Sequence, residues 1–389
     1  MKKTTKIAVA TTLVAVLALN GCGGGGSSSS GGSVEDDYFA LSVPLESNPT
    51  TYKCENMSDA NYSYTVKPDE FRLDYYIHSA EECERMGKDF IQNFAKDDKL
   101  INDEQKVALD YINNIREHIG LPIFHNNKYL QQASLNHERY LIDVYDTYGT
   151  YSFHIEDNEN YPSVYYTGVN ASERAKYAGY DGYGAGEVVS FSTRSDRGIE
   201  NSLKSLITAI YHRQGLLWNN TNEIGIGGTL GNYFYPHALG LKSSKEEFLK
   251  VISTDITIYP YDGQTNVQTT FPAHHEHPDP LPNVDEDSSN PISVSFNNYY
   301  YYDKEIDVVS FKVFKDGTDE ELETYPMLDK DNDPSTQVAG YEKGLFSERD
   351  FALFAKEPFE SNTTYRVEFK YTQDGTEKQK VWRFTTLED

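Results

Sequence analysis

Apolar residues recur at helical spacing in several stretches of the chain, and the residues flanking each stretch mark where it starts and stops. Cys83, Met86, Phe90 and Phe94 follow the capping box Ser79-Ala-Glu-Glu82 and predict a helix from about Ala80 to Ala95. Val107, Tyr111, Ile112, Ile115 and Ile119 predict the apolar face of a second, from about Asp103 to Ile119. Asn114 and Arg116 lie on or beside that face, and Gly120 with Pro122 ends the helix. Asn127 is placed to cap a third, running to about Asp143 with Leu130, Ala133, His137 and Leu141 on one stripe. His137 therefore points inward, as a hydrogen-bonded core residue. A second capping box, Asn170-Ala-Ser-Glu173, opens a short helix ending at Gly179. Leu203, Leu206, Ile207 and Ile210 mark an amphipathic helix running into His212 and Arg213.

Other stretches read as strands or loops. Glu187 to Phe191 is a short strand, and Glu223 to Gly227 and Tyr233 to Leu241 are strand-like, joined by a glycine turn through Gly228 and Gly231. From about Thr254 the period changes to two. Ile256 and Ile258, then Ile292, Val294 and Phe296, then Val309, Phe311 and Val313 alternate with polar residues, and Tyr365, Val367, Phe369 and Tyr371 continue the pattern. Asp374-Gly375 is a hairpin turn from which Lys380 to Phe384 returns, so this part is expected to be an antiparallel β-sandwich. Glu35 to Pro68 reads as loop. Asp146 to Tyr166 is rich in tyrosine and acid with no helical period.

The start of the chain changes the compartment. Lys2, Lys3 and Lys6, an apolar run from Ile7 to Leu19 and then Leu19-Asn-Gly-Cys22 have the layout of a cleaved signal, too short to span a bilayer comfortably. A small residue before Cys22 resembles a bacterial lipobox, which implies lipidation at Cys22 and an exported lipoprotein on the outer membrane, facing the periplasm or the cell surface. Gly23 to Ser33 is a Gly/Ser linker, a flexible coil with an end-to-end span of roughly 17–20 Å. The expected organisation is signal and lipobox at 1–22, linker at 23–33, an N-terminal extension at 34–100, a central α/β domain at 101–250 and a sandwich at 251–389. In an oxidising compartment the remaining pair, Cys54 and Cys83, is expected to form a disulfide. A formal charge of −26 argues against nucleic acid and against docking on anionic lipid, since both favour a basic face.

One set of motifs resembles a known family. In order they are Asn113-Asn-Ile-Arg116, Gly120-Leu-Pro-Ile-Phe124, Ala133-Ser-Leu-Asn-His137, Ser152-Phe-His154, Arg174 to Gly179-Tyr180, Gly186-Glu-Val188, Tyr211-His-Arg-Gln-Gly-Leu-Leu217 and Ile224-Gly-Ile-Gly227. This series is similar to the bacterial form of the CAP superfamily, which comprises cysteine-rich secretory proteins, antigen 5 and plant pathogenesis-related proteins. The resemblance implies an α+β fold, with a CAP-type α-β-α sandwich ahead of the β-sandwich. Tyr259-Pro-Tyr-Asp-Gly-Gln264 and Pro278-Asp-Pro-Leu-Pro282 resemble the immunoglobulin-like module that follows some bacterial CAP domains. Three departures stand out: Val188 replaces the usual Asn, Ile210-Tyr211 replaces a small turn, and Ala209 stands where eukaryotic members carry a second glutamate.

The resemblance implies a binding cleft of His154, Glu187, His212 and Arg213, with His154 and His212 facing each other. Two neutral imidazoles could hold zinc or another divalent cation; a histidine and a glutamate could share acid–base work; or the trio could be a hydrogen-bonded network ordering the fold. His154, Glu187 and His212 are thus also the candidates for catalysis, although no nucleophile falls in the matched motifs. Tyr151, Ser152 and Ser190 are candidates only by proximity. The expected function is a membrane-anchored extracytoplasmic recognition module for a small ligand, lipid or protein partner. The alternatives are a peptidase- or esterase-like hydrolase and an architectural envelope protein. His274-His-Glu-His277 is expected to be a solvated loop, and Asp329-Lys-Asp-Asn-Asp333 lacks the glycine and distant glutamate of a calcium loop.

Overall fold

Between Glu35 and Pro68, where the sequence shows no period, the chain nevertheless forms strands. The computed structural model describes residues 39–44, 50–62, 70–77, 79–93, 103–182, 184–192, 198–228, 234–241, 255–297, 303–338 and 341–388; the signal, Cys22, the linker and Gly231 fall outside these. Strands β1 (Phe39–Pro44), β2 (Lys53–Asn56) and β3 (Glu70–Ile77) pair antiparallel in the order β2-β1-β3. Because β1 is the central strand, Ala40 to Val43 are all buried, and a strand covered on both faces has no alternation to read. Helix α1 (Ala80–Asn93) packs beside this sheet, and a disulfide joins Cys83 to Cys54 on β2. Leu41, Val43, Ile77 and Cys83 share a core with Leu135 of the central domain.

That domain has three layers. Its elements are α2 (Asp103–His118), β4 (His125–Asn126), α3 (Lys128–Tyr148), α4 (Ala171–Ala178), β5 (Gly184–Phe191), α5 (Ile199–Thr208), α6 (Ile210–Leu216), β6 (Glu223–Ile226) and β7 (Phe234–Leu241). The sheet order is β4-β6-β7-β5, antiparallel except for β4 with β6. Strand alternation assigns the faces: Val188, Tyr235 and Leu239 pack with α2, α5 and α6, whereas Val189, Phe234 and Ala238 pack on the side of α3 and α4. Local signals work well here. The side chain of Asn127 accepts from the N–H groups of Tyr129 and Leu130 to start α3, and Asn170 caps α4 by accepting from Glu173. Gly225 is required by contact, since a Cβ there would lie 2.0 Å from the Leu130 backbone carbon.

Two helical expectations are corrected. Val107 is exposed, and the buried face of α2 instead includes Gln105, Ala108, Leu109 and Arg116. The last amphipathic helix does not run through to Arg213: Ala209 is extended (φ −73°, ψ 119°), so α5 stops and α6 starts afresh.

The C-terminal part comprises β8 (Ile256–Tyr259), β9 (Gln264–Val267), β10 (Thr270–Phe271), β11 (Ser288–Ser289), β12 (Ile292–Phe296), β13 (Ile306–Lys315), β14 (Asp350–Leu353), β15 (Thr364–Gln373) and β16 (Thr376–Thr386). Sheets β14-β12-β8 and β13-β15-β16-β9 close over one core containing Val294, Phe296, Phe369 and Trp382. Asp374 and Gly375 both have positive φ, the backbone that a tight hairpin between β15 and β16 demands. The sandwich is not wholly antiparallel: β9 runs parallel to β16. No described helix is long and apolar enough to cross a membrane.

Candidate functional site

The centre of the site is Glu187, which β5 turns towards α3. Its Oε1 accepts from Arg174 Nη2 at 2.5 Å and lies 3.1 Å from His154 Nδ1 and 3.7 Å from His137 Nε2. Its side chain is 6% accessible, while that of His154 is 33% accessible. Burial alone would raise the pKa of Glu187, but His137, Arg174 and His154 together outweigh it and bring the carboxyl down to about 2. A carboxylate so acidic and so fully engaged is a poor general base near neutral pH, where an effective base has a pKa near the working pH.

Beneath it, His137 has only acceptors on either side. Nδ1 lies 2.9 Å from Glu156 Oε1 and Nε2 lies 2.8 Å from the carbonyl oxygen of Phe153. Glu156 uses its other oxygen to accept from the N–H groups of Thr167 and Gly168. Glu156 and Glu187 thus share one cluster of little-exposed side chains with His137 and Arg174. Arg174 also donates to the carbonyl oxygens of His154, Gly168 and Val169, which pins the loop carrying His154. His137 is the hydrogen-bonded core histidine that its apolar stripe implies, whereas the roles of Arg174 and Glu156 were not legible from the motifs. Their signal was the position of Arg174 one turn after the Asn170 cap.

His212 and Arg213 are placed differently from the expected cleft. The Nδ1 of His212 lies 2.8 Å from Oε1 of Glu276, and that same oxygen accepts from the N–H groups of Tyr211 and His212. Glu276 therefore caps α6, which has no cap of its own from Ala209. The solvated-loop reading of His274 to His277 holds for the three histidines, which are exposed, and is corrected for Glu276, which is buried after a 3₁₀ turn. Arg213 is buried and donates to the carbonyl oxygens of Ile207, Thr208 and Pro291 and to Asn290 Oδ1, with its guanidinium 4.4 Å from the centre of the Tyr259 ring. Burial lowers its pKa only to about 10, so it remains charged. The hydroxyl of Tyr211 donates to Asp333 Oδ1 at 2.6 Å. Both oxygens of Asp333 are thereby engaged, since Oδ2 accepts from the N–H groups of Leu345 and Phe346. Three consecutive motif residues are thus spent on the junction with the sandwich. Among the described residues no hydrogen bond or ion pair joins His212 to His154 or Glu187.

The donor set does not suit a resident metal. Among the described residues no group of three or more His, Cys, Asp or Glu side chains is arranged to hold one, and the partner of His212 is Glu276. Nor does a nucleophile join Glu187. Ser190 follows it by three residues and so points to the opposite face of β5, where its hydroxyl meets Ser202 at 2.6 Å; Ser202 in turn lies 3.2 Å from Nε2 of His237. His237 is buried, and desolvation pushes its pKa down to about 3, so it is neutral. Tyr151 stacks into an aromatic cluster with Phe153, Phe191 and Phe234.

Residues 109–232 match the model of CAP, the cysteine-rich secretory protein family. This stretch is a CAP domain. The match runs from α2 to the residues just before β7, the strand that completes the CAP sheet between β6 and β5. Among solved structures, an outer surface protein from Borrelia burgdorferi is similar over 36% of this chain and 95% of its own, at 12% identity and a TM-score of 0.28. An extracellular protein containing an SCP domain, from Bacillus anthracis str. Ames, is similar at 16% identity and a TM-score of 0.29. That likeness covers 44% of this chain and 46% of the other, so the chain spans less than half of its length. The comparison with curated proteins found no match.

Proposed function

We propose that this is an exported CAP-domain recognition protein, held at the membrane by a lipid on Cys22, in which His154 presents a binding group at the edge of the CAP domain. The observation that carries the reading is the state of Glu187. Three cationic or hydrogen-bonding neighbours hold it as a fixed carboxylate with a pKa of about 2, so it orients the Nδ1 side of His154 and leaves Nε2 for a ligand. Tyr151 and Phe153, three and one residues before His154, are only partly buried against the aromatic cluster, and in this reading their open edges supply an apolar wall. The favoured ligand is therefore a small molecule or lipid with an apolar body and a polar head. Export also accords with the extracellular and outer-surface descriptions of the two similar structures.

Native mass spectrometry of the purified protein, after exposure to envelope extract, tests this. A ligand retained by wild type and lost in His154→Ala supports it; equal retention by both removes it. The hydrolase alternative expects turnover of peptide or ester substrates that disappears in Glu187→Gln. Anchoring has its own test. Cys22→Ser should release or misprocess the protein, and equal membrane retention after a high-salt wash would exclude the lipid anchor.

A further inference from the structure

The loop between α3 and α4 carries a surface that the His154 site does not use. Tyr148, Ile155, Tyr161, Val164, Val169 and Tyr177 are all exposed, Val164 to 77%, and they make up more than half of the large hydrophobic side chains exposed among the described residues. They fall in three neighbouring pairs along this loop and the helix ends beside it. The rings of Tyr148 and Tyr161 lie 5.6 Å apart, Val164 and Tyr177 line one hollow with Tyr165 and Tyr166, and the Glu156 N–H donates to the Val169 carbonyl, bringing Ile155 alongside. Exposed hydrophobics scattered singly need no explanation, but their concentration on one loop points to an interaction site.

The loop is also held in shape from within. Asp157 accepts from Asn160, Asn158 accepts from the Ser163 N–H, and Ser163 donates to Asp143. Its sequence, Asp157-Asn-Glu-Asn-Tyr-Pro-Ser-Val-Tyr-Tyr-Thr-Gly-Val-Asn170, combines rigid tyrosines with short hydrogen-bonding residues. The same composition serves protein recognition in antibody loops, because tyrosine offers contact area at low entropic cost.

Charge selects the occupant. Asp143, Asp157, Glu159 and Glu173 all lie on or bond to this loop, against one exposed cation among the described residues of the loop and α4, Lys176. Arg139, which also lines the hollow, is buried and donates to Asn136. We propose that this face docks a cationic, amphipathic polypeptide segment of a partner protein, its apolar side chains on the tyrosine-rich surface and its lysines or arginines towards the acidic rim. The proposal goes beyond the recognition reading: it adds a polypeptide partner on a surface beside His154, separate from the ligand at it.

The test measures binding of a fluorescent lysine–leucine amphipathic peptide to the full chain by anisotropy. The combined variant Ile155→Ser, Val164→Ser, Tyr177→Ser alters only exposed side chains and should weaken binding about tenfold or more. Val309→Ser with Val381→Ser, equally exposed on the sandwich, should leave it unchanged, as should His154→Ala. A twin peptide with glutamate for lysine should not bind, and hydrogen-exchange protection should map to residues 148–177. The proposal is overturned if no peptide binds, if the loop and sandwich variants weaken binding alike, if the acidic twin binds equally, or if phosphatidylglycerol vesicles are bound in preference to the peptide. Loss of peptide binding in His154→Ala would transfer the effect to the His154 site.

Discussion

Glu187 makes a measurable contribution because its acidity differs between folded and unfolded chains. In the unfolded chain it titrates as an ordinary carboxylate near 4.5, and in the fold at about 2. A folded pKa below the unfolded one gives stability that is present above the unfolded value and lost as pH falls towards the folded one. At 1.36 kcal/mol per unit this is worth roughly 3 kcal/mol, shared with His137, His154 and Arg174. Urea denaturation of Glu187→Gln should therefore show a shallower loss of stability between about pH 4.5 and pH 2 than wild type. An unchanged slope would mean that the carboxylate is not stabilised by its neighbours.

Caps and turns written within a few residues were legible in the sequence: Asn127, Asn170 and Asp374-Gly375 each act on backbone two or three positions away. The cap of α6 was not, because Glu276 lies 64 residues from the N–H group of His212 that it accepts from. Likewise the motif residues Tyr211, His212 and Arg213 could be matched to a family pattern, but their partners Asp333, Glu276 and Asn290 lie beyond the matched stretch. Periodicity also failed where a strand is buried on both faces, as in β1, and where a helix breaks without proline or glycine, as at Ala209. Glu276→Ala would strip three hydrogen bonds and leave two N–H groups at the start of α6 unpaired. It should cost about 2–4 kcal/mol in thermal or urea unfolding, whereas Glu276→Gln, which keeps an accepting oxygen, should cost less. Equal stability of Glu276→Ala and wild type would show that the cap contributes nothing.

Residues 37–389 form one compact unit, and an apolar cluster and buried hydrogen bonds join its CAP domain and sandwich. Ile210 and Tyr211 share an apolar cluster with Phe271, Leu281, Phe346 and Phe354 of the sandwich, and Arg213 reaches past β8 to Asn290 and Pro291. Holding the halves together thus does not depend on the peptide bonds between them. If the gene were split anywhere between the codons for residues 242 and 254, the two polypeptides made in one cell should find each other and copurify as a stoichiometric pair. Arg213→Ala or Glu276→Ala should weaken that reassembly, while His154→Ala should not.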